Sequence, residues 1–163
     1  MSRVASTLVW LSTSLWFGGM IFLFVSVQTL FRAFPRPASD VAPQAAPALF
    51  DVFERYQLAL AAAALIGAFV WYLAVRSKRV IVIFAMLAIA AAGAAISTTL
   101  ITPPMQQLRA AGQTASPRFR ALHGRSMQCY LAQAGLLLVV TLLLPAAPRT
   151  KASKLVGADA DSA

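Results

Sequence analysis

The sequence predicts an all-α integral membrane protein, a four-helix bundle built of antiparallel hairpins, and three observations carry that prediction. First, 60% of the 163 residues are hydrophobic and only 12% charged, with a mean hydropathy of +0.73; a soluble domain is about 25% charged. Second, four windows of roughly 20 residues are apolar enough to cross a hydrocarbon core of about 30 Å. Third, the remainder is two connections of about twenty residues, one tight turn and a short tail, which leaves no room for a separate soluble domain. Function is therefore expected in the bundle or on its rims.

The first span is read from about Thr7 to Phe31, an apolar stretch holding Trp10 and Trp16 that stops at Arg32 and Pro35, because proline ends a helix. It is too long for the apolar core of a signal peptide and is expected to be retained. Pro37 to Pro47 reads as a loop, with Pro43 and Pro47 suited to the first turn of a new helix. Span two follows at about Tyr56 to Val75, and Asp51, Glu54 and Arg55 are placed on a helical extension standing out of the hydrocarbon, where three charges would be costly. Arg76, Ser77, Lys78 and Arg79 make the one very short connection, so spans two and three are antiparallel neighbours.

Span three is expected at about Val80 to Ile101, closed by Thr102, Pro103 and Pro104, with Met105 to Arg109 as one amphipathic surface turn. Ser116 followed by Pro117 reads as an N-cap before a proline-started helix. Its first turns protrude with Arg118, Arg120, His123 and Arg125, leaving about Met127 to Leu144 as span four. The four-span domain thus covers residues 1–148, and the small polar tail 149–163 is expected to be disordered.

The formal charge of +9 invites nucleic acid as a partner, but the basic residues are strung along the span edges without a stripe of interleaved aromatics. No nucleic-acid partner is expected; membrane phospholipids are, with a homo-oligomer or a membrane protein as a further partner. Basic residues tie at seven per side: Arg3, Arg76, Lys78, Arg79, Arg149, Lys151 and Lys154 on the face with both termini, against Arg32, Arg36, Arg55, Arg109, Arg118, Arg120 and Arg125. The dense tight turn and the three lysines favour cytoplasmic termini.

Small residues recur at intervals of four, as Ser14 and Gly18, then Ala59, Ala63 and Gly67, then Ala88 and Ala92, a spacing that lets helix backbones approach in lipid. On the fourth helix His123, Ser126, Tyr130 and Gln133 fall on one stripe, which is expected to point inward and line a pocket. Thr98 and Thr102 at the end of span three, with Ser97, Thr99, Ser26 and Gln28, lie at the same level. The plain alternative is hydrogen bonding between helices. Arg32, at headgroup level beside this set, is expected to reach inward as a planar donor fork.

Inventory decides most of the chemistry. The single cysteine, Cys129, excludes an internal disulfide and a Cys-x-x-Cys pair, hence a thiol oxidase, and the single histidine, His123, excludes a bis-histidine haem held by this chain alone. A zinc site lacks donors; a copper(I) site from His123, Met127 and Cys129 is the remaining metal option. Ser126 and His123 have no acid or oxyanion motif beside them, so no enzyme is expected. No carboxylate is expected within the spans, which counts against a proton-coupled antiporter. No cofactor, catalytic residue or metal site is assigned.

Two stretches resemble a known family. Phe24, Val25, Ser26, Leu30, Phe31, Arg32, Pro35 and Arg36 near the end of span one, and Phe119, Arg120, His123, Gly124, Ser126 and Cys129 opening span four, with Thr102 and Pro103 between, resemble the transmembrane protein 205-like family. The resemblance covers about residues 5 to 145. Tyr130 stands where that family commonly has asparagine, and Gln28 and Thr29 where some members have a proline. The resemblance implies a small four-helix protein of bacterial or animal membranes, here a bacterial inner membrane, with a transport-associated or membrane-organising role and no settled activity. The expectation that results is a non-enzymatic membrane protein whose Arg-rich loop face and polar stripe bind a lipid headgroup, a small anion or a partner; the alternative is a small transporter or export accessory for drugs or metal ions.

Overall fold

The computed structural model describes residues 2–35 and 40–147. Arg36 and the tail 149–163, which carry expectations above, lie outside the described residues. The chain forms α1 (Ser2–Ala33), α2 (Val41–Val75), α3 (Lys78–Ile96), a π-helical segment (Ser97–Ile101), α4 (Thr102–Ala110), α5 (Pro117–Leu143) and a closing 3-10 turn (Leu144–Ala146). No strand occurs among the described residues. Four helical stretches are long and apolar enough to span a membrane: Arg3–Ala33, Val41–Val75, Lys78–Ala110 and Pro117–Ala146.

The connections set the topology. Arg76 adopts the left-handed conformation at φ 49° and its N–H donates to the Tyr72 carbonyl; Ser77 then caps α3, its Oγ accepting from the Arg79 N–H. This turn is shorter than the sequence reading had it, because Lys78 is already helical. At the start of α5, Ser116 Oγ accepts from the Phe119 N–H, with Pro117 in the first turn. The helices pack in a ring, α1 on α2, α2 on α3, α3 on α5, closed by α5 on α1. The α2–α3 turn and the end of α5 therefore share one end of the bundle, and Arg79 Nη1 joins them by donating to the Ala146 carbonyl at 2.6 Å.

At this termini end the core is largely apolar and close-packed. Val9, Ile83, Leu87, Leu137 and Val140 are fully buried. A Cβ added at Gly67 would stand 3.0 Å from Val9 Cγ2 and 3.3 Å from the Ala5 carbonyl oxygen, so α1 and α2 touch almost backbone to backbone there. The small-residue reading is met at Gly67, half met at Ser14, Ala63 and Ala88, and missed at the other three positions. Gly18, Ala59 and Ala92 are exposed, whereas Ala61, Ala64, Ala68, Ala90 and Ala94 are buried, because the seams follow the inward face of each helix and a four-residue repeat alone does not say which face that is. Leu15, Phe22, Ile66, Ile89 and Leu142 point outward, as side chains facing lipid do, since lipid gives no reason to bury them.

The helix in the third span does not end at its prolines. It passes through the π-helical segment, where the Thr102 N–H donates to the Ser97 carbonyl five residues back, and continues as α4 with Pro103 and Pro104 in the first turn. The longer π bond resets the register so that both prolines occupy positions that need no amide donor. Thr98 Oγ1 and Thr99 Oγ1 bond back to the Ala94 and Ala95 carbonyls at 3.0 and 2.7 Å, which keeps those carbonyls satisfied through the wider turn. Likewise Pro43 sits in the first turn of α2, as expected, but Pro47 lies inside the helix.

Candidate functional site

At 35 residues, α2 is about 52 Å long, well beyond the hydrocarbon thickness. Its first third, α4 and the opening turns of α5 form a collar at the loop end, and inside the collar lies a cavity of about 560 Å³. The long α2 supplies Pro47, Phe50, Asp51 and Glu54; α1 supplies Phe24, Gln28 and Phe31; α4 supplies Thr102, Gln106 and Arg109; α5 supplies Phe119, His123 and Ser126.

The helical extension expected ahead of residue 56 is present, since α2 begins at Val41, but Glu54 does not stand exposed on it. The residue is 5% exposed, inside the Val41–Val75 span, and Thr102 Oγ1 donates to its Oε1 at 2.5 Å. Asp51 is half-buried and accepts from Gln106 Nε2 at 2.7 Å. Only Arg55 of the three is exposed. The pattern held the signal: Glu54, Gln57, Ala61, Ala64 and Ala68 follow at steps of three and four and are all buried, so Glu54 continues the core stripe of α2.

Above the carboxylates Arg109 lies 5.7 Å from the centre of the Phe119 ring, a cation–π distance, and close enough to Asp51 to feel its charge. Phe119 in turn stacks on His123 with centroids 6.2 Å apart. Arg109, Phe119 and His123 thus form a continuous stack across the α4 and α5 sides of the cavity.

The structure divides the sequence-predicted site residues. Thr102, His123 and Ser126 line the cavity. Tyr130 is one turn deeper, packed edge-on to Phe50 at 5.6 Å and beside Phe53. Gln133 is deeper still, 1% exposed, its side chain against Gly93. Thr98 bonds within its own helix and lies outside the cavity lining. Arg32 is exposed and also outside that lining: the inward fork expected of it is not formed. Met127 lines the cavity, but Cys129 faces a separate groove with Ile96, Leu100, Leu122 and Arg125, so the copper(I) set is split. Asp51, Glu54, Gln106 and Arg109 are the site residues that the sequence reading missed.

Below the cavity the interior is unusually polar. Trp16 Nε1 donates to Gln57 Oε1 at 3.4 Å, while Ser97 Oγ and both amide atoms of Gln133 are buried without a hydrogen-bond partner. Buried polar atoms are nearly always bonded, so this cluster is costly in a purely structural bundle.

The fold and the cavity together define a class: a multi-pass membrane bundle with a polar, carboxylate-bearing cavity at its loop end. Within that class the chain belongs to the family described as Domain of unknown function (DUF4149), whose match runs over residues 11–114. The matched segment carries α2 and α4, hence Asp51, Glu54, Thr102, Gln106 and Arg109, and stops short of α5. No curated protein and no solved structure matches the chain.

Proposed function

We propose that this protein is a non-enzymatic integral membrane protein that holds a lipid headgroup in its loop-end cavity. The observation that carries the reading is the mixed lining of a 560 Å³ space, in which carboxylates, Arg109 and His123 share the walls with Phe24, Phe31, Phe50 and Phe119. Pockets of this size take small molecules, and a lining that sets three charged side chains beside four phenylalanines suits an amphiphile at the level where headgroup meets chain. Of the other ligands considered, a small anion fits less well, because two carboxylates face one guanidinium. Membrane phospholipid is then both solvent and partner. The resemblance to the transmembrane protein 205-like family, carried by the stretches around Arg32 and His123, supports a membrane-organising role, and the lysines on the termini face support cytoplasmic termini in a bacterial inner membrane.

A second reading, a small transporter or export accessory, is favoured by the polar side chains of Gln57, Tyr130 and the unpartnered Gln133, which carry polarity from the cavity toward the middle of the bundle. Native mass spectrometry of the full chain in mild detergent, with flux assays in sealed liposomes, separates the two. Phospholipid retained by the wild type and displaced by Ser126→Trp, without flux, supports the first reading; flux of a drug or metal ion supports the second. Absence of both would end the proposal.

A further inference from the structure

We infer that the inner end of the cavity is an ammonium subsite, in which Glu54, assisted by Asp51, receives the positively charged amino group of an amphiphile whose apolar part lies against the phenylalanines. This deepens the headgroup reading and rests on it.

The charge arithmetic of the cavity is opposite to that of the face it opens on. Arg32, Arg55, Arg118, Arg120 and Arg125 are all exposed and lie outside the lining, so the positive character of this end stays on the rim. Inside stand two carboxylates and one guanidinium. That guanidinium is engaged by Phe119 and lies within the field of Asp51, and Asp51 also accepts from Gln106. Glu54 remains. Its bond from the neutral Thr102 hydroxyl satisfies one lone pair of one oxygen, and among the described residues no lysine, arginine or histidine nitrogen stands at salt-bridge distance from it. A carboxylate enclosed in protein without a counter-charge is strongly disfavoured, and an incoming ammonium removes that penalty where a neutral headgroup does not.

Two further features select an ammonium over a metal ion. Four phenylalanines line the space, and aromatic faces attract alkylammonium groups through their quadrupole. Among the described residues no three histidine, cysteine or carboxylate side chains converge, and calcium takes about six to eight oxygen ligands, more than two carboxylates and a hydroxyl supply. The source of the ammonium is either an aminophospholipid of the surrounding bilayer or a free cationic amphiphile, and both present the same group to Glu54.

The test is native mass spectrometry of the full chain in mild detergent, with phosphatidylethanolamine and phosphatidylglycerol of matched acyl chains supplied together and cetyltrimethylammonium supplied separately. The wild type is expected to retain the ethanolamine lipid about tenfold over the glycerol lipid, a difference of about 1.4 kcal/mol. Glu54→Gln, whose amide oxygen still accepts from Thr102, is expected to bring the ratio to about one without lowering the melting temperature. Equal retention of the two lipids by the wild type, or an unchanged preference in Glu54→Gln, overturns the ammonium subsite while leaving the headgroup reading standing. Binding of cetyltrimethylammonium that depends on Glu54, with neither lipid retained, upholds the subsite with a free amphiphile as its source and overturns the headgroup reading; no binding of any probe overturns both. If Glu54→Gln does not fold, Asp51→Asn carries the test. A fall in preference of about threefold is expected, and no change overturns the inference.

Discussion

The two ends of this bundle are built on opposite principles. At the termini end Val9, Ile83, Leu87 and Val140 fill the interior, Gly67 brings α1 and α2 into near backbone contact, and Arg79 ties the tight turn to the end of α5. At the loop end the helices surround a cavity lined by Asp51, Glu54 and Arg109, a π turn interrupts the third helix, and a proline sits inside the second. The comparison teaches where the protein can spend stability. Close packing at one end holds the ring together, so the other can keep carboxylates and amides in its interior that a purely structural bundle would replace with leucine.

Substitutions that exchange the character of the two ends should break this contrast. The largest effect is expected at Gly67→Leu. Even a Cβ would stand 3.0 Å from Val9 and 3.3 Å from a backbone carbonyl, so a branched side chain must push α1 from α2, at a cost of about 3 kcal/mol, read as a lower melting temperature in detergent. A neutral outcome would mean that the close-packed end does not hold the bundle together.

Next comes Thr102→Val, which removes the hydroxyl from Glu54 at nearly constant shape. The carboxylate loses its hydrogen-bond donor, with an expected cost of about 2 kcal/mol; Thr102→Ser, which keeps the donor, should recover most of it. If the two variants melt together, the hydroxyl does not support Glu54.

The sign reverses deeper in the interior. Gln133 is buried and neither of its amide atoms has a partner. Gln133→Met keeps the unbranched shape that rests on Gly93 and is expected to stabilise the protein by about 1 kcal/mol while diminishing ligand retention or flux. Chemical denaturation beside the lipid-retention measurement checks both halves. Destabilisation would show that the amide is satisfied in the membrane, and the polar interior would then belong to the structure and not to the site.

The smallest effect is expected at Arg32→Lys. Arg32 is exposed and does not line the cavity, so the change should stay within about 0.5 kcal/mol in melting experiments with and without anionic lipid. A clear loss with anionic lipid alone would place a specific headgroup contact on the rim.

The architecture was legible in the sequence because hydropathy, proline positions and loop lengths are properties of single segments. The cap at Ser116 and the inward path of Ser126, Tyr130 and Gln133 followed from local spacing in the same way. What was hidden depends on what lies across from a residue. Glu54 reads as an external charge until Thr102 and the cavity are known to stand opposite it, although its place on the Gln57, Ala61 and Ala64 stripe was visible. Arg32 failed for the converse reason: a position at the right depth says nothing about azimuth, and its helix turns it outward. The prolines at 103 and 104 read as a stop because a π turn, which moves them into tolerated positions, leaves no simple mark in sequence.

That π turn makes the site sensitive to how the chain is wound. One α-helical residue corresponds to a rotation of about 100°, so winding 97–101 as an α-helix with every residue retained would swing α4 by about that angle. Thr102 would leave Glu54, Gln106 would leave Asp51 and Arg109 would turn off Phe119 together, although every side chain was still present. Across this stretch the winding of the backbone, more than the identity of its residues, is what assembles the cavity.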